Sequence, residues 1–168
     1  FPPTSPTTMA SDDTTSLMTR VFDVANETLD NTNPIYGLDD TPLLSLDDAL
    51  QHSPQYNKLK IAIRLALREA DKRLKSGKEK YISSKDQIAA IHIYTQHSPL
   101  FGDLNTKLRS QNRPDLVPYL PYLKLLLTGC YLLPPVKTVV YRAVDKYIGS
   151  YQQGDVFCWW GFSSTSRK

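Results

Sequence analysis

An α+β fold is what this sequence predicts, on three observations. Apolar residues recur at three- and four-residue steps through the middle of the chain, the signature of amphipathic helices. Residues 137–144 and 155–166 are instead β-branched and aromatic, a strand signal. The helical patterns come first and the strand patterns second, and this segregation marks α+β rather than α/β. A chain of 168 residues, 40% hydrophobic and 22% charged, is enough for one domain with its own core.

Residues 1–40 are rich in Thr, Ser, Pro, Asp and Asn and read as a flexible leader, with a short helical pattern near Leu17–Leu29. Residues 41–168 hold the helical region and, after it, the strand segments. Ser45 caps a helix, with Asp48 at the capping-box position, and Pro54 separates it from the next. The longest helix is predicted over 55–76. Leu59, Ile63, Leu67, Ala70 and Leu74 form its apolar stripe, and Ser76-Gly77 its end. Ser84 and Gln87 make a capping box for a helix carrying Ile88, Ile91 and Thr95 on one face and Ala90 and Tyr94 on another. Pro99 sits at a first helical position, and that helix runs through Leu104 and Leu108 to about Gln111, where Arg113-Pro114 breaks it. A further helix lies between Pro118 and Leu133, kinked or started by Pro121 and stopped by Pro134-Pro135. Two or three strands come next. So small a sheet is poorly stable without further pairing, so the fold reads as incomplete.

The net charge of +3 is too small to imply a nucleic-acid partner. Before Gln51 the acids dominate and Arg20 is the only base, while from Lys58 to Lys80 the bases dominate. That run reads as a solvated helix face, with a polyanion-binding face as the alternative. No apolar run reaches the length of a membrane span, the first residues lack the pattern of a signal peptide, and the compartment stays open. Cys130 and Cys158 have no metal spacing. They could pair only in an extracellular protein, and Cys130 reads as a small core residue in an apolar helix. Asn26-Glu27-Thr28 is a glycosylation sequon, relevant only to a secreted chain. His92 and His97, five apart, miss the four-residue step of helical metal ligands, so a structural use is expected and no metal. Phosphate-loop, GxGxxG, GxSxG and HExxH motifs are absent.

Chemistry concentrates near the end of the sequence. Alternate side chains of a strand share a face, so Ser164 and Ser166 would point one way and Thr165 the other. Arg142, on a neighbouring strand, offers the planar bidentate cation that suits a diphosphate. Trp159 and Trp160 supply flat apolar area, for core packing or for stacking on a ring. The plainer alternatives are a surface ion pair for Arg142 and a polar strand edge for Ser164–Ser166.

These segments resemble the arginine-specific mono-ADP-ribosyltransferases of the R-S-E class. Val140-Tyr-Arg-Ala143 matches the family's arginine motif, and Val156-Phe-Cys-Trp-Trp-Gly-Phe-Ser-Ser-Thr-Ser166 its Ser-Thr-Ser motif. Ala89-Ala-Ile-His-Ile-Tyr-Thr95, Leu104-Asn-Thr-Lys-Leu-Arg109 and Tyr122-Leu-Lys-Leu-Leu126 resemble its N-terminal helical region, in order and spacing. The resemblance runs from about Ser45 to Ser166. It implies the first strands of the family's β-sandwich, NAD as substrate without a metal, and a protein arginine as acceptor. It further implies that Arg142 binds the NAD phosphates and that the backbone of Ala143, where the family usually has Gly, meets the nicotinamide amide. Ser164 would hydrogen-bond a ribose and orient the catalytic glutamate, with Thr165 and Ser166 bracing the strand.

The family's Glu-x-Glu, or Gln-x-Glu, on a later strand has no counterpart, because no Glu follows Glu79. The expectation is therefore the N-terminal part of a transferase: a fragment, a cleaved half whose second chain or C-terminal segment completes the fold, or a truncated gene. This chain alone would be inactive. The alternative is a non-catalytic NAD-binding or interaction module.

Overall fold

The structure, a computed structural model, describes residues 35–96, 98–110, 112–141 and 161–162. The described residues form a bundle of six α-helices: α1 (Leu46–Leu50), α2 (Tyr56–Lys75), α3 (Lys85–Thr95), α4 (Pro99–Ser110), α5 (Arg113–Leu116) and α6 (Leu120–Tyr131). A 3-10 turn, Val117–Tyr119, joins the last two. The expected α+β class is corrected by this. Among the described residues there is no strand, and Tyr141 has only an isolated bridge. Residues 134–140 are irregular, with Val136 61% and Val139 69% exposed. The physical reason lies in what β-propensity measures, the fit of a side chain to a pleated, half-buried surface. Among the described residues nothing covers these valines, so their branching has no sheet to fit. The remainder of the expected strands, 142–144 and most of 155–166, lies outside the described residues.

The helix boundaries follow local chemistry. Ser45 is extended and its hydroxyl accepts the backbone N–H of Asp48, capping α1. The Leu46 N–H, another orphan donor of that helix start, reaches Asp86 Oδ1 at 2.8 Å and ties α1 to α3. α2 ends in a Schellman arrangement. Gly77 takes a positive φ of 65°, its N–H donates to Leu74 O, and the Lys78 N–H donates to Arg73 O. Ser84 caps α3 by accepting the N–H of Gln87, but the expected capping box is only half made. The Gln87 side chain turns inward instead and donates to Thr128 Oγ1 on α6. Pro114 does not break a helix so much as open a new one in the first turn of α5, and Pro121 does the same for α6.

α3 is the central element. Gln87, Ile88, Ala89, Ala90 and Ile93 are all buried, so it is covered on nearly every side, with α2 against one flank and α6 against the other. α2 contributes Leu59, Ile63, Ala66 and Ala70; Leu67 and Leu74 of the expected stripe are only partly buried. Ala66, outside the expected stripe, is buried. α6 contributes Leu120, Tyr122, Leu123, Leu125 and Leu126. Cys130, expected in the core, is exposed at the end of α6.

Two contacts give testable consequences. At Gly129 an added Cβ would lie 3.1 Å from Gln87 Cβ and 3.3 Å from Ile91 Cδ1, so α6 approaches α3 as closely as it does only because no side chain intervenes. Gly129→Val is therefore expected to destabilise by about 1–3 kcal/mol, the usual cost of overpacking. A urea midpoint equal to that of the parent would show that the two helices have slack there.

The second consequence concerns pH. Tyr119 is fully buried and donates to Asp103 Oδ2, while Lys107 Nζ lies 3.5 Å from Asp103 Oδ1. Burial first, and then the Asp103 carboxylate, push the Tyr119 phenol well above its ordinary 10.0. Tyr122, wholly buried, is pushed up for the same leading reason. In the unfolded chain these phenols ionise near their ordinary value, whereas in the folded chain they keep their protons. The folded state thus binds more protons above about pH 10, and stability falls as pH rises from there. Urea midpoints measured between about pH 8 and pH 11 are expected to decline, and Tyr119→Phe to decline less steeply. Parallel declines would show that Tyr119 does not contribute.

Candidate functional site

Arg142, Ala143, Ser164, Thr165 and Ser166, the residues to which the sequence assigns NAD, lie outside the described residues, as do His97, Cys158, Trp159 and Trp160. The structure does place the two residues that lead into the Ser-Thr-Ser motif. Gly161 is buried and Phe162 is partly buried against the helical core.

The place where Phe162 docks is built from two helices. Tyr94 stands in the last turn of α3, and Phe101 and Asn105 stand one turn apart on α4. Asn105 is only 1% exposed. A buried amide must have partners at both ends. Its Nδ2 donates to Tyr94 Oη at 2.8 Å, and its Oδ1 accepts the backbone N–H of Phe162 at 2.8 Å. The rings close around the same point. The Phe162 and Tyr94 centroids are 5.0 Å apart at 57°, and Tyr94 meets Phe101 edge-on at 5.5 Å and 67°. Both are favourable aromatic geometries. A backbone group thus reaches a side chain 57 residues earlier in sequence, with an aromatic cluster packed beside the hydrogen bond.

Asn105 and Tyr94 lie inside two of the segments that carry the family resemblance, but sequence reasoning gave neither a role in a site. The available signal was a polar residue next to Leu104 within the apolar pattern of α4, where a solvent-facing side chain is not expected.

One cavity of about 290 Å³ opens elsewhere, with Arg73, Glu79 and His92 around Ile82, Ile88 and Ile91. Its charges are used locally. Arg73 Nε lies 3.3 Å from Glu69 Oε1, and Glu79 Oε1 accepts the N–H groups of Tyr81 and Ile82. His92 lines this cavity. Among the described residues no group of three or more His, Cys, Asp and Glu could hold a metal ion. On the outer face of α2, Ile61 and Leu65 are exposed within the basic run. Among the described residues no helix is long and apolar enough to cross a membrane. Comparison with family models, curated proteins and solved structures finds no match for this chain.

Proposed function

We propose that this chain is the helical, NAD-binding part of an arginine-specific mono-ADP-ribosyltransferase, which moves ADP-ribose from NAD to a protein arginine and releases nicotinamide. One observation carries the reading. The helical segments resembling the family, with Tyr94 and Asn105, hold Phe162, which belongs to the separate segment resembling its Ser-Thr-Ser motif. Two parts of that resemblance, separate in sequence, meet at Phe162.

In this reading Arg142 holds the NAD diphosphate, the Ala143 backbone meets the nicotinamide amide, and Ser164 hydrogen-bonds a ribose, braced by Thr165 and Ser166. The bond between nicotinamide and ribose breaks with its electron pair leaving on nicotinamide, and the ribose carbon takes on oxocarbenium character. A carboxylate must stabilise that charge and take a proton from the attacking guanidinium. No Glu follows Glu79 in these 168 residues, so this reading draws its acid pair from outside them.

Titration calorimetry of the 168-residue chain with NAD tests the first step. Heat of binding that disappears in Arg142→Ala is expected. Wild-type chain that takes up no NAD would remove the reading. A second reading, an NAD-binding module without transfer, is favoured by the missing glutamate. It predicts the same binding, but no labelling of agmatine after a segment bearing Glu-x-Glu is joined to the chain.

A further inference from the structure

α2 has two faces. One, with Leu59, Ile63, Ala66 and Ala70, is buried in the bundle. The other is exposed and mixes aliphatic with cationic side chains. Ile61 stands 65% exposed, and Leu65, one turn further along, 54%. At about 100° per residue, Lys58, Arg64, Leu65, Arg68 and Lys72 all fall within about 60° of Ile61 around the helix. The four cations among them are exposed. No carboxylate of α2 shares this strip. Glu69 and Asp71 stand at its two edges, and each is already paired, Glu69 with Arg73 at 3.3 Å and Asp71 with Lys75 at 2.6 Å. None of Lys58, Arg64, Arg68 and Lys72 forms an ion pair with a described residue. We infer that this strip lays α2 flat on an anionic phospholipid surface, with Ile61 and Leu65 entering the headgroup layer and the four cations meeting the lipid charges.

Charge and shape together select this occupant. Several Lys and Arg on the exposed face of one helix, with aliphatic side chains between them, make the pattern of a helix that lies in a membrane interface. Nucleic acid fits less well, because Ile61 and Leu65 in the middle of the strip would be set against charged phosphates rather than apolar matter. A soluble protein partner fits less well on area. From Lys58 to Lys72 the strip is about 21 Å long and roughly 10 Å wide, the width of one helix. Its area is on the order of 200 Å², whereas a stable protein interface takes about 800 Å² from each partner. The strip is also convex, and its two aliphatic side chains are fewer than the anchors of a helix seated in a groove. A bilayer sets neither condition. It deforms around a ridge, accepts single aliphatic side chains, and lets Lys and Arg lay their stems beside Ile61 and Leu65 while their charges stay among the headgroups. Neither the strip nor its partner depends on NAD binding.

Co-sedimentation of the full chain with lipid vesicles is the test. The chain is expected to pellet with vesicles of equal parts phosphatidylcholine and phosphatidylserine, to stay in solution with pure phosphatidylcholine, and to be released by added salt. Each cation near an anionic surface contributes about fivefold in partitioning. Arg64→Gln combined with Arg68→Gln is therefore expected to weaken binding about 25-fold. Ile61→Ala combined with Leu65→Ala removes apolar carbon from the interface and is expected to weaken it about tenfold. All four side chains are exposed, and Gln and Ala both suit a helix, so these variants keep the helical circular dichroism of the parent. Lys85→Gln combined with Lys137→Gln makes the same change of net charge away from the strip and serves as the control. A parent chain that does not pellet with the anionic vesicles would overturn the inference. Undiminished binding in the aliphatic variant would overturn it too, by leaving a face that reads charge alone and suits a soluble polyanion. An equal loss in the control would reduce the effect to net charge and remove the strip as its seat.

Discussion

Arg142→Ala is expected to weaken NAD binding by about a hundredfold, and in a chain joined to a Glu-x-Glu segment to depress ADP-ribosylation of agmatine at least as much. Hydrogen bonds to charged groups contribute about 1.5–3 kcal/mol each, and a guanidinium can set two of them side by side on a diphosphate. Lys at the same position restores the charge but not the planar fork, so Arg142→Lys should recover only part of the loss. In the proposed reading Ser164→Ala would remove one neutral hydrogen bond to a ribose, and it is expected to cost about tenfold in affinity. Its effect on transfer should exceed its effect on binding, because in that reading the same hydroxyl would orient the catalytic carboxylate, an interaction that matters most in the transition state. The discriminating measurement is therefore the pair of ratios, affinity and turnover, for each variant. Full activity in both would show that the arginine and serine motifs have been assigned wrongly. Arg142→Ala with normal binding and lost turnover would move Arg142 away from the diphosphate and toward the reacting bond.

The helix ends of this fold are legible in the amino-acid sequence, because they are decided by single residues acting on their nearest neighbours. Ser45 and Ser84 each cap as expected, and Gly77 takes the left-handed conformation that stops α2. The partners of polar side chains are not legible in the same way. Gln87 reads as half of a capping box because the pattern is local, but its amide goes to Thr128, 41 residues away, since α6 packs close enough to offer a better-buried partner. Tertiary contact overrides a local rule there, and the same holds for Cys130, whose place on α6 turns out of the core.

The strand expectation fails for a related reason. Composition over 137–144 describes side chains that suit a sheet, but a sheet is a pairing of segments and cannot be inferred from one of them. Val136, Val139 and Val140 stand exposed because no paired neighbour is present against them among the described residues. At the candidate site the sequence points to Arg142 and Ser164, outside the described residues, and misses the pair that meets Phe162. Arg142 and Ser164 stand out because their chemistry is recognisable at a glance. Asn105 and Tyr94 do not, since an Asn and a Tyr in two helices acquire meaning only when 57 residues of separation collapse into a hydrogen bond.

The largest effect on stability is expected at Tyr122. Its ring is fully buried on α6 and its hydroxyl donates to Ala90 O of α3 at 2.9 Å. Tyr122→Ala removes a large side chain from the contact between the central helix and its neighbour and leaves a cavity, at a cost of about 3–5 kcal/mol. Tyr122→Phe removes only the hydroxyl. Ala90 O retains its place within α3, so that change should cost about 1 kcal/mol. Small domains hold about 5–15 kcal/mol in total, so the alanine variant sits near the threshold of unfolding while the phenylalanine variant does not. Urea denaturation separates the two: a midpoint shift at constant slope measures stability, whereas a change in slope would mean that the folded state itself has loosened. Equal losses in both variants would put the weight on the hydrogen bond instead of the ring.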